Sequence, residues 1–272
     1  MEHGREHSAL DAAGIEAFWA AQAEEHGLDP ASSWSDRQAI ELEVAAISRY
    51  IEAGMEILDA GCATGYSTVH FARRDGVRIL GIDYIERMIQ LAEERRAAMP
   101  SEIAARLEFR VCDVRILDGI PAAVFDIVVT TRVIINLGTA ADQAEAIHSL
   151  GRRVRPGGLL LLSEATVEGW QRLNVLRREW GLPDIRMPSF NLYLEESAVV
   201  AAAGDDFALE RIEDFASSYF VATRVLKPLL AQAATHKVDV ADPSAEFNRW
   251  ASLLPAAGDY GTQKLFVLRK RA

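Results

Sequence analysis

Ile57-Leu58-Asp59-Ala60-Gly61-Cys62-Ala63-Thr64-Gly65, with Asp83 eighteen residues beyond Gly65, is the stretch that decides the reading of this chain. It has the form of a buried strand, an acidic residue at the strand's carboxyl end, a glycine-bearing turn and the start of a helix. Glycine is required where the backbone turns tightly and a ligand must approach it closely, because a side chain would block both. A second apolar run, Ile79-Leu80-Gly81-Ile82-Asp83, also ends in a carboxylate. In doubly wound folds that position reaches the paired hydroxyls of a ribose. The pattern therefore points to a nucleoside-containing ligand.

The dinucleotide fingerprint G-x-G-x-x-G would need glycines at 61, 63 and 66, where the chain has Gly61, Ala63 and Tyr66. The spacing that fits is D-x-G-x-(A/G)-x-G, which resembles motif I of class I S-adenosylmethionine (SAM) methyltransferases. Three further segments agree. Gly81-Ile82-Asp83-Tyr84-Ile85-Glu86-Arg87-Met88-Ile89 is similar to the family's G-x-D-x-S-x-x-M-(I/L), with Ile85 in place of the usual serine. Phe109-Arg110-Val111-Cys112-Asp113 resembles the end of its third strand, and Val154-Arg155-Pro156-Gly157-Gly158 resembles its L-x-P-G-G turn ahead of strand five.

Composition narrows the classes. The 272 residues suit one large domain or a core with additions, and half of them are hydrophobic, enough for a sizeable core. A formal charge of −11 disfavours a nucleic-acid partner, since phosphate backbones call for a basic surface. Cys62 and Cys112 are the only cysteines and make no disulfide framework. The start of the chain has no apolar signal core, and no apolar run approaches the ~20 residues of a membrane span. The expected setting is cytoplasmic, with no membrane partner. A homodimer is left open.

Residues 1–10 read as a frayed tail, followed by helical periodicity from Ile15 through Trp19 and a turn at Gly27-Leu28-Asp29-Pro30. Ser35 and Gln38 have capping-box spacing, and Ile40, Val44, Ile47 and Ile51 share one helical face. Strands near 78–83, 107–111, 125–130 and 158–163 alternate with helices near 86–98 and 140–153. Near-continuous apolar strands separated by helices indicate a parallel sheet covered on both faces. The last hundred residues add a helix over 167–180, strands at 207–212 and 264–268, and about 50 residues between those strands. Connections of that length usually carry function, often as lids.

The resemblance implies an α/β, doubly wound, seven-stranded mixed sheet with the last strand antiparallel. On that reading residues 1–55 form an N-terminal helical lid. Residues 56–272 form the SAM-binding domain, with substrate-lid insertions near 165–200 and 216–258. It also implies the site. Asp59, Gly61, Cys62, Ala63 and Gly65 shape the pocket for the methionine part of SAM, and Asp83 receives the ribose hydroxyls. Tyr84 and Met88 are candidates to pack on adenine, though either also suits the core; Asp113 is the candidate for its amino group, with a helix cap the alternative, and Val114 is counted with the cofactor-binding residues. Arg37 is a candidate partner for the SAM carboxylate, with Trp19 and Trp34 closing over the cofactor.

Strand four ends in Thr130-Thr131-Arg132-Val133. The (N/D)-P-P-(Y/F) motif of nucleic-acid amino-methyltransferases is missing there, as is the acidic pattern of metal-dependent catechol-type enzymes, so no metal site is expected. Arg132 at the carboxyl edge could grip a substrate carboxylate or phosphate in bidentate fashion. Pairing with one of the chain's acids is equally open to it. Glu164, ending strand five, is the first candidate for a general base or amine anchor, against a role as cap or ion-pair partner. Trp170, Asn174, Asn191 and Tyr193 are candidate substrate-pocket residues; residues of these types at this spacing also suit a core.

The expected activity is metal-independent, in-line methyl transfer to an O or N atom of a small molecule, one that carries an anionic group if Arg132 grips it. A nicotinamide oxidoreductase, a non-catalytic SAM-binding regulator and a protein-modifying methyltransferase are the alternatives. The missing fingerprint glycines count against the first, and the long aromatic insert against the others.

Overall fold

A computed structural model describes residues 11–118, 120 and 124–272. The tail expected at residues 1–10 lies outside them. The chain opens with helices α1 (Ala12–His26) and α2 (Arg37–Ser48). It then alternates β1 (Glu56–Ala60), α3 (Tyr66–Phe71), β2 (Arg78–Asp83), α4 (Glu86–Ala97), the short α5 (Ser101–Ala104), β3 (Leu107–Val111) and β4 (Phe125–Thr131). A 3-10 turn, Ile134–Asn136, precedes α6 (Ala140–Arg152) and β5 (Val154–Ala165). The rest comprises α7 (Val167–Glu179), α8 (Glu196–Ala203), β6 (Phe207–Glu213), α9 (Ser217–Val221), α10 (Lys227–Ala233), α11 (Glu246–Ala251) and β7 (Gln263–Lys270), with a π-helical turn, Ala222–Leu226, joining α9 to α10.

The seven strands form one sheet in the order β3-β2-β1-β4-β5-β7-β6. Pairings from β3 to β5 are parallel, and β7 runs antiparallel to both of its neighbours. Strand order reverses beside β1, and in open α/β sheets a crevice forms at the carboxyl ends of the strands at that point. Successive side chains on a strand point to opposite faces. Ile57, Ile79, Ile127, Leu159 and Val267 accordingly enter one buried cluster, while Leu58, Leu80, Val128, Leu160 and Phe266 enter the other. Being buried on both faces makes these strands read as unbroken apolar runs. Each such side chain contributes roughly 1.5–3 kcal/mol.

The apolar face of α2 packs into the first cluster through Ile40, Val44 and Ile47. Its cap differs from the expected one. Asp36 is the N-cap, its Oδ1 accepting from the Ala39 amide at 3.2 Å, while Gln38 accepts from the Ser252 hydroxyl at 3.1 Å. A carboxylate there also complements the positive end of the helix dipole, which serine cannot do.

The 216–258 insertion is wired to that cap. Tyr219 donates to Asp36 Oδ1 at 2.6 Å, and Arg224, on the π-helical turn, pairs with Oδ2 at 2.7 Å. Its two ends are joined by the buried ammonium of Lys264, which pairs with both Asp214 and Asp259.

Candidate active site

The β1–α3 turn forms the floor. Gly61 has φ +80°, and a Cβ there would lie 2.1 Å from Val133 Cγ2, so no side chain fits. Gly65 caps α3 in the left-handed region at φ 72°. Among the described residues Ala63, Leu117 and Arg132 are the non-glycine residues with positive φ, and two of these three line the cleft. Such conformations cost about 1–3 kcal/mol and persist where the surroundings impose them, which is common at functional sites.

The cleft opens along the carboxyl ends of β1, β2 and β4 and encloses about 910 Å³, its open mouth included. Gly61, Ala63, Asp83, Tyr84, Met88, Asp113, Val114 and Arg132, all singled out in the sequence, line it. Ile15 and Trp19 of α1 line it as well. A smaller compartment shares Ser33, Gly61, Ala63, Thr131 and Arg132 with the cleft and continues past Cys62, Thr64, Tyr66 and Ser67.

The two acids of the first strands are electrostatically primed. Asp83 is buried, and its carboxylate accepts from the Ala63 amide at 3.0 Å and the Ile85 amide at 2.9 Å. Burial nevertheless pushes it up to about 6. Asp59, fully buried just before the turn, accepts from the Thr68 hydroxyl at 2.6 Å through Oδ2, while its Oδ1 has no partner. Burial raises it to about 6, and the neighbouring Asp83 charge raises it further against the Thr68 bond. Asp59 and Gly65, both expected at the site, line neither compartment; the two buried carboxylates behind the turn favour a cationic ligand such as a sulfonium through their charge. Asp113 is raised by burial, but the Arg115 guanidinium, bonded to both its oxygens at 3.0 Å, outweighs this and holds it below the usual range.

Several expected residues stand elsewhere. Glu164 is completely buried and absent from the lining. Its Oε1 accepts from the Thr130 hydroxyl at 2.8 Å and the Val133 and Ile134 amides at 3.1 and 3.2 Å, and its Oε2 from the Ile135 amide at 3.3 Å. All four bonds go to the β4 end and the turn after it, so its place is that of a brace rather than a general base facing substrate. Arg37 is largely exposed and 3.8 Å from Glu41, outside both compartments. Trp170 and Asn174 are spent on one loop: the Trp170 indole donates to the Ile185 carbonyl at 2.8 Å, and the Asn174 amide group exchanges two bonds with the Ile185 backbone. Tyr193 lies outside the lining. Asn191 is one step removed, donating at 2.8 Å to Asn136, which lines the cleft.

Arg132 reaches the cleft, but it already has a partner. Its guanidinium pairs with the fully buried Glu43 of α2, which also accepts from Ser163 at 2.6 Å and Gln263 at 3.3 Å. The Trp34 ring lies 5.0 Å from the guanidinium carbon. Sequence reading missed Glu43, although a carboxylate on the apolar face of Ile40, Val44 and Ile47 is a signal of a buried charge. It missed Arg115 and Asn136 as well, and Phe190, which stacks on Phe18 with centroids 4.4 Å apart and meets Trp19 edge-on at 5.8 Å.

Among the described residues no group of three or more His, Cys, Asp or Glu is placed to hold a metal ion. No helix among them is long and apolar enough to cross a membrane. Cys62 and Cys112 are both free thiols.

A sheet of this order with a ligand cleft over β1 and β2 defines the class I methyltransferase fold. Residues 51–182 match the family described as a methyltransferase domain. A ubiquinone biosynthesis O-methyltransferase of Methylocella silvestris is 36% identical over 107 residues, covering 39% of this chain and 38% of that one. An S-adenosyl-L-methionine-dependent Diels-Alderase, iccD of Talaromyces variabilis, is 30% identical over 115 residues, covering 42% and 37%. The match thus spans well under half the length of these curated relatives. The crystal structure of the [4+2]-cyclase SpnF superimposes with a TM-score of 0.64 over 97% of this chain and 98% of that one, at 18% identity. Residues 51–182 thus form a region similar to the methyltransferase domain of class I SAM-dependent enzymes, and that likeness points to SAM as the cofactor.

Proposed function

We propose that this chain transfers a methyl group from SAM to an O or N atom of a small molecule, in the cytoplasm and without a metal ion. The observation that carries the proposal is the glycine cradle at Gly61 with Asp83 on its flank and Asp59 Oδ1 lacking a donor behind it. SAM supplies a methyl group bound to a cationic sulfur, which an acceptor displaces in line. The chain's part is chiefly placement. Asp83 would take the ribose hydroxyls, Asp113 the adenine amino group, and Tyr84, Met88 and Val114 the faces of the base. Trp19 and Ile15 would roof the site and exclude water.

Both guanidiniums that line the main cleft are paired, Arg115 with Asp113 and Arg132 with Glu43. That favours a neutral acceptor over the anionic one expected from Arg132 alone. The test is production of S-adenosylhomocysteine (SAH) across a panel of neutral and anionic phenols and amines, before and after exhaustive chelation. Turnover of a neutral acceptor that survives chelation supports the proposal. Loss on chelation, restored by a divalent ion, contradicts it.

A second reading is favoured by the lining itself. Among the described residues each carboxylate in the cleft is engaged, Asp83 by two amides and Asp113 by Arg115, and no histidine lines it. A reaction needing no general base, such as the cycloaddition named for the Talaromyces relative, suits that lining. It would convert substrate without releasing SAH.

A further inference from the structure

We propose that the 216–258 insertion sets the shape of the cleft from a distance, through Asp36, and that Tyr219 and Arg224 are positioning residues for a site whose walls neither of them lines. Only the choice of SAH as test ligand rests on the SAM reading above.

Asp36 sits in the middle of a short stretch that builds one wall of the site. Before it, Ser33 lines both compartments, and the Trp34 ring lies 5.0 Å from the guanidinium carbon of Arg132. After it, Ile40 of α2 lines the smaller compartment, and Glu43 pairs with Arg132, which lines both. A helix moves as a unit, so whatever fixes its N-cap fixes Ile40 and Glu43, about one and two turns along. Asp36 is buried, and among the described residues the carboxylate's partners outside α2, Tyr219 and Arg224, both come from the insertion.

On the insertion these two side chains are fixed in turn. The Tyr219 hydroxyl accepts from Asn248 Nδ2 at 3.1 Å. Asn248 Oδ1 accepts from Lys227 Nζ at 2.8 Å, and the same ammonium donates to the Asp242 carbonyl at 2.7 Å. Arg224 lies over the rings of Phe220 and Tyr219, 4.7 and 5.5 Å from their centres, and donates to the Thr223 hydroxyl at 2.6 Å. It stands on the π-helical turn Ala222–Leu226, a rare conformation that recurs at functional sites. Tyr219, Asn248 and Lys227 are all buried, and a satisfied buried polar network is rigid and specifies one arrangement. The frame ends on Asp36, and the stretch around Asp36 ends on the cleft.

Four variants and two readouts test this. Tyr219→Phe removes one bond to Asp36 and keeps the ring. Arg224→Met removes the ion pair, and Asp36→Asn/Arg224→Met removes it without stranding a buried carboxylate, since asparagine also caps a helix. Ser218→Ala is the control, because that hydroxyl donates to the Pro255 carbonyl at 2.7 Å, within the insertion. SAH affinity is read by calorimetry, and Trp34 emission by difference from the same protein carrying Trp34→Phe. The first three variants are expected to lose about 3–10-fold in SAH affinity, with Trp34 emission shifted to the red as water reaches the ring. The control is expected to unfold at lower denaturant and to change neither readout. A merely structural tie would lower stability while the folded variants keep wild-type affinity and emission, and that result overturns the proposal. Full recovery of affinity in the double variant overturns it as well. A wild type that binds no SAH overturns the SAM reading instead, and the Trp34 emission then decides the wiring by itself.

Discussion

Asp83 and Asp59 sit about two pH units above an ordinary aspartate because burial disfavours their charged forms. A folded-state value above the unfolded one means that folding takes up protons. This contribution therefore favours the fold below about pH 4 and is lost as pH rises through 6. Keeping each carboxylate ionised at neutral pH costs the fold about 3 kcal/mol, a cost that a cationic ligand offsets. Binding has the opposite sense, since ribose hydroxyls donating to Asp83 favour its ionised form. SAH affinity should accordingly weaken about tenfold between pH 7.5 and pH 5.0 from Asp83 alone. Calorimetry at the two values checks it, and a flat profile would mean that Asp83 does not meet the ligand. Glu164 makes a separate prediction. Glu164→Gln turns one of its four acceptor contacts into an N–H facing an N–H, so the variant should lose about 1–3 kcal/mol in denaturant unfolding. Unaltered stability would remove the bracing role.

Among the elements, α1 and the segment carrying Phe190 act together. Phe190 touches Phe18 and Trp19 of α1, while its neighbour Asn191 bonds Asn136 on the turn after β4. Roof and floor are thereby linked beside the cleft, and Arg87 of α4 adds an ion pair to Glu24 of α1 at 3.1 Å. Aromatic pairs of this kind contribute about 0.5–1.5 kcal/mol, so Phe190→Ala should speed SAH release by about 2–10-fold. Stopped-flow tryptophan fluorescence would read this through Trp19, and an unchanged release rate would show that the clasp does not gate the site. Sequence periodicity located these helices because burial imposes it on each one separately. It could not locate the clasp, since a stacking contact between residues 18 and 190 leaves no trace in local spacing.

At the scale of the molecule, the sheet and the cleft lining at the ends of β1 and β2 were the legible parts, and both follow from local requirements. Gly61 is demanded by a turn with no room for a Cβ, Asp83 by the end of a strand, and the apolar runs by burial on two faces. The residues expected to line a substrate pocket were not legible in the same way. Trp170 and Asn174 carry groups suited to a pocket, yet they serve the Ile185 backbone because a buried loop must satisfy its own polar atoms. Arg37 lies outside the cleft, and the arginines that line it are Arg115, paired with Asp113 two positions away, and Arg132, paired with Glu43 across 89 positions. Long-range ion pairs of this kind are decided by tertiary packing. The central claim is that the cleft over β1 and β2 is a SAM site, and titration of the chain with SAH and with NAD(H), repeated on Asp83→Ala, tests it most directly. The account predicts binding of SAH and not of NAD(H), and a loss of about 1.5–3 kcal/mol in the variant, the scale of hydrogen bonds to a charged group. Tight NAD(H) binding without an SAH signal, or undiminished SAH affinity in a folded Asp83→Ala protein, would contradict it.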